Sequence, residues 1–299
     1  MLKENLDRIR QYAGDPMNSG PALALSRHLF GNNAGMKQNV YGNLELWNSR
    51  RNGPFAEQVG THPVAQAIDQ VGYVKAPWSY PAELIDRMQE RFAQNIAIDN
   101  VVTQRNRDGG LLNIAARDVL HSMPEVREFL NDELRSVLRS YFGSFVRVYK
   151  PDFWRNFHIP EADLVERERY SERWHNDSGK TSILSILILM SDVSEENGPT
   201  WCISRPTTRA LMKHEYKSRD LTPLENIAEG RAEVIKFVGR RGDAWLLNTR
   251  RTLHRAGIPA PGKQRDLLGL KFTPAAGDSD VWDEIPRPEE KQLVWHRYP

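Results

Sequence analysis

The hydrophobic pattern of the chain changes at Gly143, and this change limits the folds that are open to it. Before Gly143, apolar residues recur at steps of about four, the period of amphipathic helices. After Gly143 come short runs that alternate or are continuously apolar, separated by Gly and Pro turns. The longest, residues 182–190, is rich in Ile and Leu, as in a strand buried on both faces. The pattern predicts a mainly β core with flanking helices.

The individual elements follow from the same periodicity. Further strands are predicted at residues 145–149, 232–237, 243–248 and 266–273. Helices are predicted at residues 63–71, from about Pro81, and from a Ser122/Glu125 capping box to Gly143. A short amphipathic helix is predicted before Gly14, and residues 17–62 are predicted to be a long ordered loop or a set of short helices.

A His-x-Asp motif at His175 and Asp177 is the first candidate for a functional site. Side chains alternate across an extended segment, so these two lie on one face and can bind one ion together. The distant His254 would supply a third ligand, and two imidazoles with one carboxylate form the facial triad of non-haem Fe(II) oxygenases, which leaves coordination positions open. Arg265 follows His254 on a predicted strand, where its planar guanidinium could hold a carboxylate.

The order of these motifs resembles the phytanoyl-CoA dioxygenase family of Fe(II)- and 2-oxoglutarate-dependent oxygenases. Residues 196–199, Glu-Asn-Gly-Pro, resemble the family's turn after the first long core strand. Residues 242–248, Gly-Asp-Ala-Trp-Leu-Leu-Asn, are similar to the strand before its distal histidine. Residues 71–74 and 81–84 resemble its opening strand and helix. The resemblance runs from about residue 71 to residue 273.

The resemblance implies a double-stranded β-helix, the cupin-like jelly roll, braced by N-terminal helices. It implies that His175, Asp177 and His254 bind Fe(II), and that Arg265 binds the far carboxylate of 2-oxoglutarate. With O2, such an enzyme oxidises a small molecule, most simply by hydroxylation, and releases succinate and CO2; desaturation and ring formation use the same iron site. We expect one domain over residues 1–299, with an extension at 1–70, the core at 71–273 and a tail at 274–299.

Two alternatives remain open from the residues. A cupin-like metal-binding protein without oxygenase activity would share the three ligands but would have no use for Arg265. A nucleic-acid demethylase of the related dioxygenase group would favour two arginines six residues apart, where this chain has Arg265 and Lys271. The 41 basic and 39 acidic residues are interspersed, with a net charge of +2, so a nucleic-acid partner is not expected.

The arginines near the motif and the polar insertions lead to predictions about the substrate and the surface. Four arginines flank the proposed ligands in sequence, and those that face the site would favour a small-molecule substrate with a carboxylate or phosphate: Arg173, Arg250, Arg251 and Arg255. Strand alternation would send about half of them to solvent. Residues 155–173 and 207–231 are charge-dense insertions, interpreted mainly as solvated surface, and the first leads directly to His175 as a candidate lid.

Other single residues are expected to be structural. Cys202 has no cysteine partner and is interpreted as a small buried apolar side chain, which fits a reducing cytoplasm. The start of the chain lacks the apolar core of a signal peptide, and no apolar run could span a bilayer, so we expect a cytoplasmic protein without membrane contact. Six more histidines are interpreted as surface or core residues, with His158 the candidate for lining the pocket: His28, His62, His121, His158, His214 and His296.

Overall fold

The computed structural model describes residues 34–166, 168–177, 183–213 and 233–275, together with Trp282. The strands in these ranges are β1 Tyr73–Ser79, β2 Val101–Arg105, β3 Leu111–Ala116, β4 Phe145–Phe157, β5 Leu184–Leu189, β6 Thr200–Ile203, β7 Val234–Lys236, β8 Asp243–Leu247, β9 His254–Ala256 and β10 Gln264–Ala275. The α-helices are α1 Ala34–Asn52, α2 Pro63–Val71, α3 Ala82–Ala97, α4 Val119–Ser122, α5 Asp132–Phe142, α6 Glu161–Glu166 and α7 Arg205–Lys213. Single 3-10 turns cover Ala56–Gln58, Pro124–Phe129 and Glu195–Asn197.

The strands form two antiparallel sheets. The larger has the order β1-β8-β5-β10-β4-β3-β2, and the smaller has the order β7-β6-β9. β10 lies in the middle of the larger sheet and pairs with β5 on one side and with β4 on the other. The predicted class, mainly β with flanking helices, is confirmed.

The two faces of β10 have different neighbours. Leu268, Leu270 and Phe272 belong to the main apolar core, which they share with α3 and α5. Because side chains alternate along a strand, Arg265 and Lys271 lie on the opposite face, towards the interior of the barrel. β10 therefore links the hydrophobic core to the residues of the candidate site.

Gly269 lies on this interior face, directly against the Trp154 indole. A Cβ atom at position 269 would come within 2.8 Å of the ring atoms Cζ3 and Cη2 of Trp154. The missing side chain thus allows the indole to pack flat against the strand.

Gly269→Ala is expected to lower the free energy of unfolding by about 1–3 kcal/mol, the usual cost of forcing extra volume into a packed interior. Denaturant unfolding followed by circular dichroism measures it. Trp154→Phe removes the two crowded ring atoms. The free energy of unfolding of the double variant should therefore fall by less than the sum of the two single changes. Additive losses would contradict this contact.

The helix predicted from Ser122 to Gly143 is wrong as a single element. The chain forms α4, then the 3-10 turn Pro124–Phe129, and then α5. Pro124 has no amide hydrogen, and Ser122 Oγ donates to the carbonyl of Arg117 instead of capping a helix. Asn131 caps the start of α5, because its side chain accepts from the Leu134 amide at 2.8 Å, and Gly143, with φ of 68°, caps its end.

β4 extends well beyond its predicted end at Tyr149, because its partner fixes its length. The strand pairs with β10 from Phe145↔Ala275 to Phe157↔Gln264. Arg155 was placed in a solvated insertion, but its guanidinium binds the carboxylate of Asp266 through two hydrogen bonds of 2.7 Å, and Asp266 is only 2% exposed. The solvated interpretation is wrong for this end of the insertion.

The prediction of a long ordered loop or a set of short helices at residues 17–62 is wrong where the structure describes this segment, because residues 34–52 form the single 19-residue helix α1. The segment has no sustained apolar period, so periodicity does not indicate this helix.

The helices predicted at residues 63–71 and from about Pro81 are confirmed. α2 and α3 form where the sequence indicates, and α2 ends at Gly72, with φ of 97°. The predicted helix before Gly14, most of the second insertion and the tail beyond residue 275 lie outside the described residues, as do His28, His214 and His296. In the described part of the chain, no helix combines the length and apolar character needed to cross a membrane.

Candidate metal centre

The fold brings His175, Asp177 and His254 together. One possible ligand atom from each side chain lies within 4.8 Å of the other two. The Oδ1 atom of Asp177 is 3.8 Å from Nε2 of His175 and 4.0 Å from Nε2 of His254. Among the described residues, this is the one cluster of three histidine, cysteine or acidic side chains with such geometry.

A backbone bridge explains why residues so distant in sequence meet. The His175 amide donates to the carbonyl of His254 at 3.0 Å, and the His254 amide donates back at 2.8 Å. The Asp177 amide donates to the carbonyl of Thr249 at 2.8 Å, which aligns the whole His-x-Asp segment with the chain that leads into β9. In an antiparallel pair, two residues whose amides donate to each other's carbonyls lie directly opposite each other, so the two imidazoles lie on the same face of the pair.

A contact between Nδ1 and a backbone carbonyl orients the ring of each histidine. Nδ1 of His175 lies 2.8 Å from the carbonyl of Arg173, and Nδ1 of His254 lies 3.1 Å from the carbonyl of Thr252. A carbonyl can only accept, so each Nδ1 carries the proton and each Nε2 presents a lone pair. This tautomer is the one that binds a metal through Nε2.

Asp177 is a partly buried carboxylate that stays ionised. Burial favours its neutral form, but the ammonium of Lys271, through its charge and its hydrogen bond, opposes burial and holds the pKa of Asp177 below its usual range. Lys271 Nζ donates to Oδ2 of Asp177 at 2.8 Å. The carboxylate therefore needs no deprotonation before it binds a cation.

Arg265 is buried, with 1% of its surface exposed, in a polar but uncharged environment. Its Nη1 donates to the carbonyl of Gly198, and its Nη2 donates to Oδ1 of Asn156 at 2.8 Å. Asn156 in turn donates to Asn113 at 3.1 Å, so a relay across β10, β4 and β3 fixes the guanidinium. Nε of Arg265 has no hydrogen-bond partner among the described residues.

The charge of Arg265 has no anion to match it in the described chain. No carboxylate there forms an ion pair with it, and burial lowers its pKa to about 10, opposed only by the nearby Tyr170. Burial also raises the pKa of Tyr170 above its ordinary value, so this phenol stays neutral, and its hydroxyl donates to the carbonyl of Phe157 at 2.6 Å. A buried cation without a counterion is costly, and this environment fits an anionic ligand.

The interior of the barrel beside the triad is apolar. Cys202 lies opposite His254 in the pairing of β6 with β9, and both Cys202 and Leu247 are fully buried. The Phe237 and Trp245 rings stack in this same cluster, with centroids 4.4 Å apart and an interplanar angle of 2°. This cluster limits the access of water to the metal ligands from within the barrel.

Cys202 is the buried, inert side chain that the sequence predicts. Burial raises the pKa of its thiol to about 12, against weaker opposing hydrogen bonds. The native protein is expected to be unreactive towards a thiol reagent at pH 8, and the unfolded protein to react with one equivalent, because the chain has one cysteine. Rapid labelling of the native protein, followed by absorbance, would contradict this assignment.

The four flanking arginines point in different directions. Arg251 binds the side chain of Asn43, Arg255 stacks 4.0 Å from the Trp201 ring centroid, and Arg173 donates to the carbonyl of Leu164. Arg250 is only 5% exposed and lies within electrostatic range of Asp177. Arg250 thus interacts with Asp177, but the carboxylate of Glu45 is its larger electrostatic partner.

The candidate lid segment is internally paired. Arg169 donates to the carboxylate of Asp163 at 2.8 Å, and both are buried. Glu172 accepts the amides of Arg169 and Tyr170 at 2.9 Å. The solvated interpretation is thus wrong here too, and the segment presents Tyr170 to Arg265.

The three described histidines outside the triad have structural contacts. Nδ1 of His158 lies 2.9 Å from the carbonyl of Pro259, and His62 accepts the Val64 amide as the N-cap of α2. His121 is exposed and contacts Asp118.

The comparison with family models decides the family. The model described as phytanoyl-CoA dioxygenase (PhyH) matches residues 68–258, which is more than half of the chain and includes all three clustered side chains. The chain belongs to the phytanoyl-CoA dioxygenase family. The match ends before Arg265, so what is inferred for that residue depends on the geometry above. A search of curated protein sequences finds no match.

Solved structures of low sequence identity share the fold. The non-heme alpha ketoglutarate dependent epimerase SnoN from nogalamycin biosynthesis has 17% identity and a TM-score of 0.55, over 71% of this chain and 82% of its own. The carbocyclase SnoK from the same biosynthesis has 16% identity and a TM-score of 0.55, over 75% and 87%. EctD from S. alaskensis with bound Fe has 17% identity and a TM-score of 0.52, over 70% and 75%. The predicted jelly roll is confirmed for this member of the phytanoyl-CoA dioxygenase family.

Proposed function

We propose that this protein is an Fe(II)- and 2-oxoglutarate-dependent oxygenase that hydroxylates a small molecule and releases succinate and CO2. The observation that carries the proposal is the combination of a three-residue ligand set with a buried guanidinium that has no counterion among the described residues. Family membership supports it. So do the structural relatives, since EctD was solved with Fe and with 2-oxoglutarate, and SnoN with Fe3+ and alpha ketoglutarate.

The donor set fits iron. Two neutral imidazole nitrogens and one carboxylate oxygen are the ligands of the facial triad, whereas a structural zinc site would be closed by a fourth protein ligand. The clustered group contains three such side chains among the described residues. The ionised state of Asp177 and the exposed lone pairs of both Nε2 atoms leave the site ready for a divalent cation.

The Arg265 site fits the distal carboxylate of 2-oxoglutarate. Its Nε is free of partners among the described residues, and the Asn156 relay holds the guanidinium plane in place. Tyr170, whose hydroxyl donates to the Phe157 carbonyl, lies within electrostatic range of Arg265. A cupin-like binding protein without a cosubstrate would leave this buried charge unmatched.

Each residue then has a defined task. His175 and His254, oriented by backbone carbonyls, and Asp177 would bind the metal, and Arg265 would bind and orient the cosubstrate. The bound iron and 2-oxoglutarate supply the oxidising chemistry. The stacked Phe237 and Trp245 exclude water from the interior side, which limits unproductive reactions.

We further propose that the substrate is a small molecule with an anionic group. Arg250 and Lys271 both lie within electrostatic range of Asp177, and the first is nearly inaccessible to solvent. Although the carboxylate of Glu45 also interacts with Arg250, these two cationic side chains beside the triad would attract a carboxylate or phosphate.

The decisive experiment is turnover with a metabolite library that contains matched anionic and neutral compounds. The protein is incubated with Fe(II), 2-oxoglutarate and O2, and succinate and a gain of one oxygen atom are measured. We expect succinate to form together with an oxygenated anionic compound. A neutral best substrate would contradict the charge proposal, and an absence of succinate with every compound would contradict the oxygenase proposal.

A further inference from the structure

The two oxygens of Asp177 have different neighbours. Oδ1 faces both histidines, at 3.8 Å and 4.0 Å from their Nε2 atoms. Oδ2 accepts a hydrogen bond from Lys271 Nζ at 2.8 Å. One oxygen thus lies on the side of the two histidines, and the other is held by an ammonium group.

Regular strand alternation places Lys271 on the interior face of β10. At this point β10 pairs regularly with β5, from Lys271↔Ser185 to Phe272↔Leu184. On its other side the register shifts, because Lys271 pairs with Lys150 and Phe272 with Val148, so the extra residue, Tyr149, belongs to β4. The direction of Lys271 towards Asp177 therefore follows from the regular backbone of β10.

This contact is important because it affects how many coordination positions on the metal stay open. A carboxylate can bind a metal through one oxygen or through two. A two-oxygen mode would use one of the positions that the facial triad leaves open for a chelating cosubstrate and for O2. A hydrogen-bond donor that holds Oδ2 keeps this coordination position open.

We propose, on the basis of the function proposed above, that Lys271 is a positioning residue that restricts Asp177 to one metal-binding oxygen. Its ammonium is a compact charge on a flexible stem, so it can keep Oδ2 without contacting the metal itself. Lys271 thereby preserves the open positions on which cosubstrate binding depends.

The test uses the full-length protein loaded with Mn(II), without turnover. Crystal structures of the wild type and Lys271→Met show whether one or two oxygens of Asp177 bind the metal, and calorimetry gives the affinity of each for 2-oxoglutarate. Lys271→Arg retains a cationic donor and should restore the wild-type arrangement. Lys263→Met removes an exposed lysine that pairs with Glu196 and serves as the matched control.

In the wild type, we expect Oδ2 to remain with Lys271. In Lys271→Met, both oxygens should bind Mn(II), and 2-oxoglutarate affinity should fall about 10–100-fold, the usual effect of losing a residue that orients a metal ligand. Lys271→Gln offers a second neutral variant if the methionine variant does not fold.

One-oxygen binding in the folded neutral variant would overturn the proposal, whatever its affinity for 2-oxoglutarate. Unchanged affinity despite two-oxygen binding would overturn it as well. A wild-type protein that binds no Mn(II), or that binds it equally well as His254→Ala, would instead contradict the proposed function.

Discussion

Arg265→Ala is expected to raise the 2-oxoglutarate concentration for half-maximal turnover by about 30-fold or more. Losing one partner of a buried charge pair costs about 2–5 kcal/mol, and each 1.4 kcal/mol is a factor of ten. The variant should remain folded. In the described chain the guanidinium pairs with no carboxylate, so its removal leaves no buried negative charge without a partner. Steady-state kinetics with varied 2-oxoglutarate measures the change.

Two further variants make this test specific. Arg265→Lys should recover only part of the loss, because a point charge cannot reproduce the two-pronged guanidinium contact. Arg241→Ala removes an exposed arginine that pairs with Asp86 and should behave as the wild type. An unchanged requirement in Arg265→Ala would show that another residue, with Lys271 the first candidate, binds the cosubstrate.

His254→Ala and His175→Ala are each expected to abolish iron-dependent turnover while the protein stays folded. The bridge between the two residues uses backbone atoms only, so removal of an imidazole leaves it in place. Turnover and Mn(II) binding should be lost together, since each variant retains two of three ligands. His121→Ala, at an exposed position, is the control. Wild-type turnover in either triad variant would refute the assignment of the ligands.

The sequence was sufficient for the local features of this site but not for its long-range contacts. His175, Asp177, His254 and Arg265 could be selected from motif order, because strand alternation and spacing are properties of the sequence itself. The structure brings the first three together, and their metal-binding role stays a prediction. The contact of Lys271 with Asp177 could not be foreseen, because it depends on how β10 packs against a segment 94 residues away.

The errors have similar physical causes. The length of β4 is set by its partner β10 and not by its own irregular pattern, in which Pro151 and Asp152 interrupt the alternation. The helix predicted from Ser122 fails because the Ser122 hydroxyl bonds back to the carbonyl of Arg117 instead of capping, and the residues from Pro124 form a 3-10 turn before α5. Asn156, whose side chain holds Arg265 in place, could not be predicted either. It lies in the part of β4 where the alternation of apolar residues is interrupted.

The most direct test of the central claim is the origin of the oxygen in succinate. The wild-type protein and His254→Ala are incubated with Fe(II), 2-oxoglutarate, the metabolite library and oxygen-18 gas, and succinate is analysed by mass spectrometry. We predict succinate with one oxygen-18 atom from the wild type and none above background from His254→Ala. Unlabelled succinate, or equal amounts from both proteins, would contradict the assignment of this chain as a 2-oxoglutarate-dependent oxygenase.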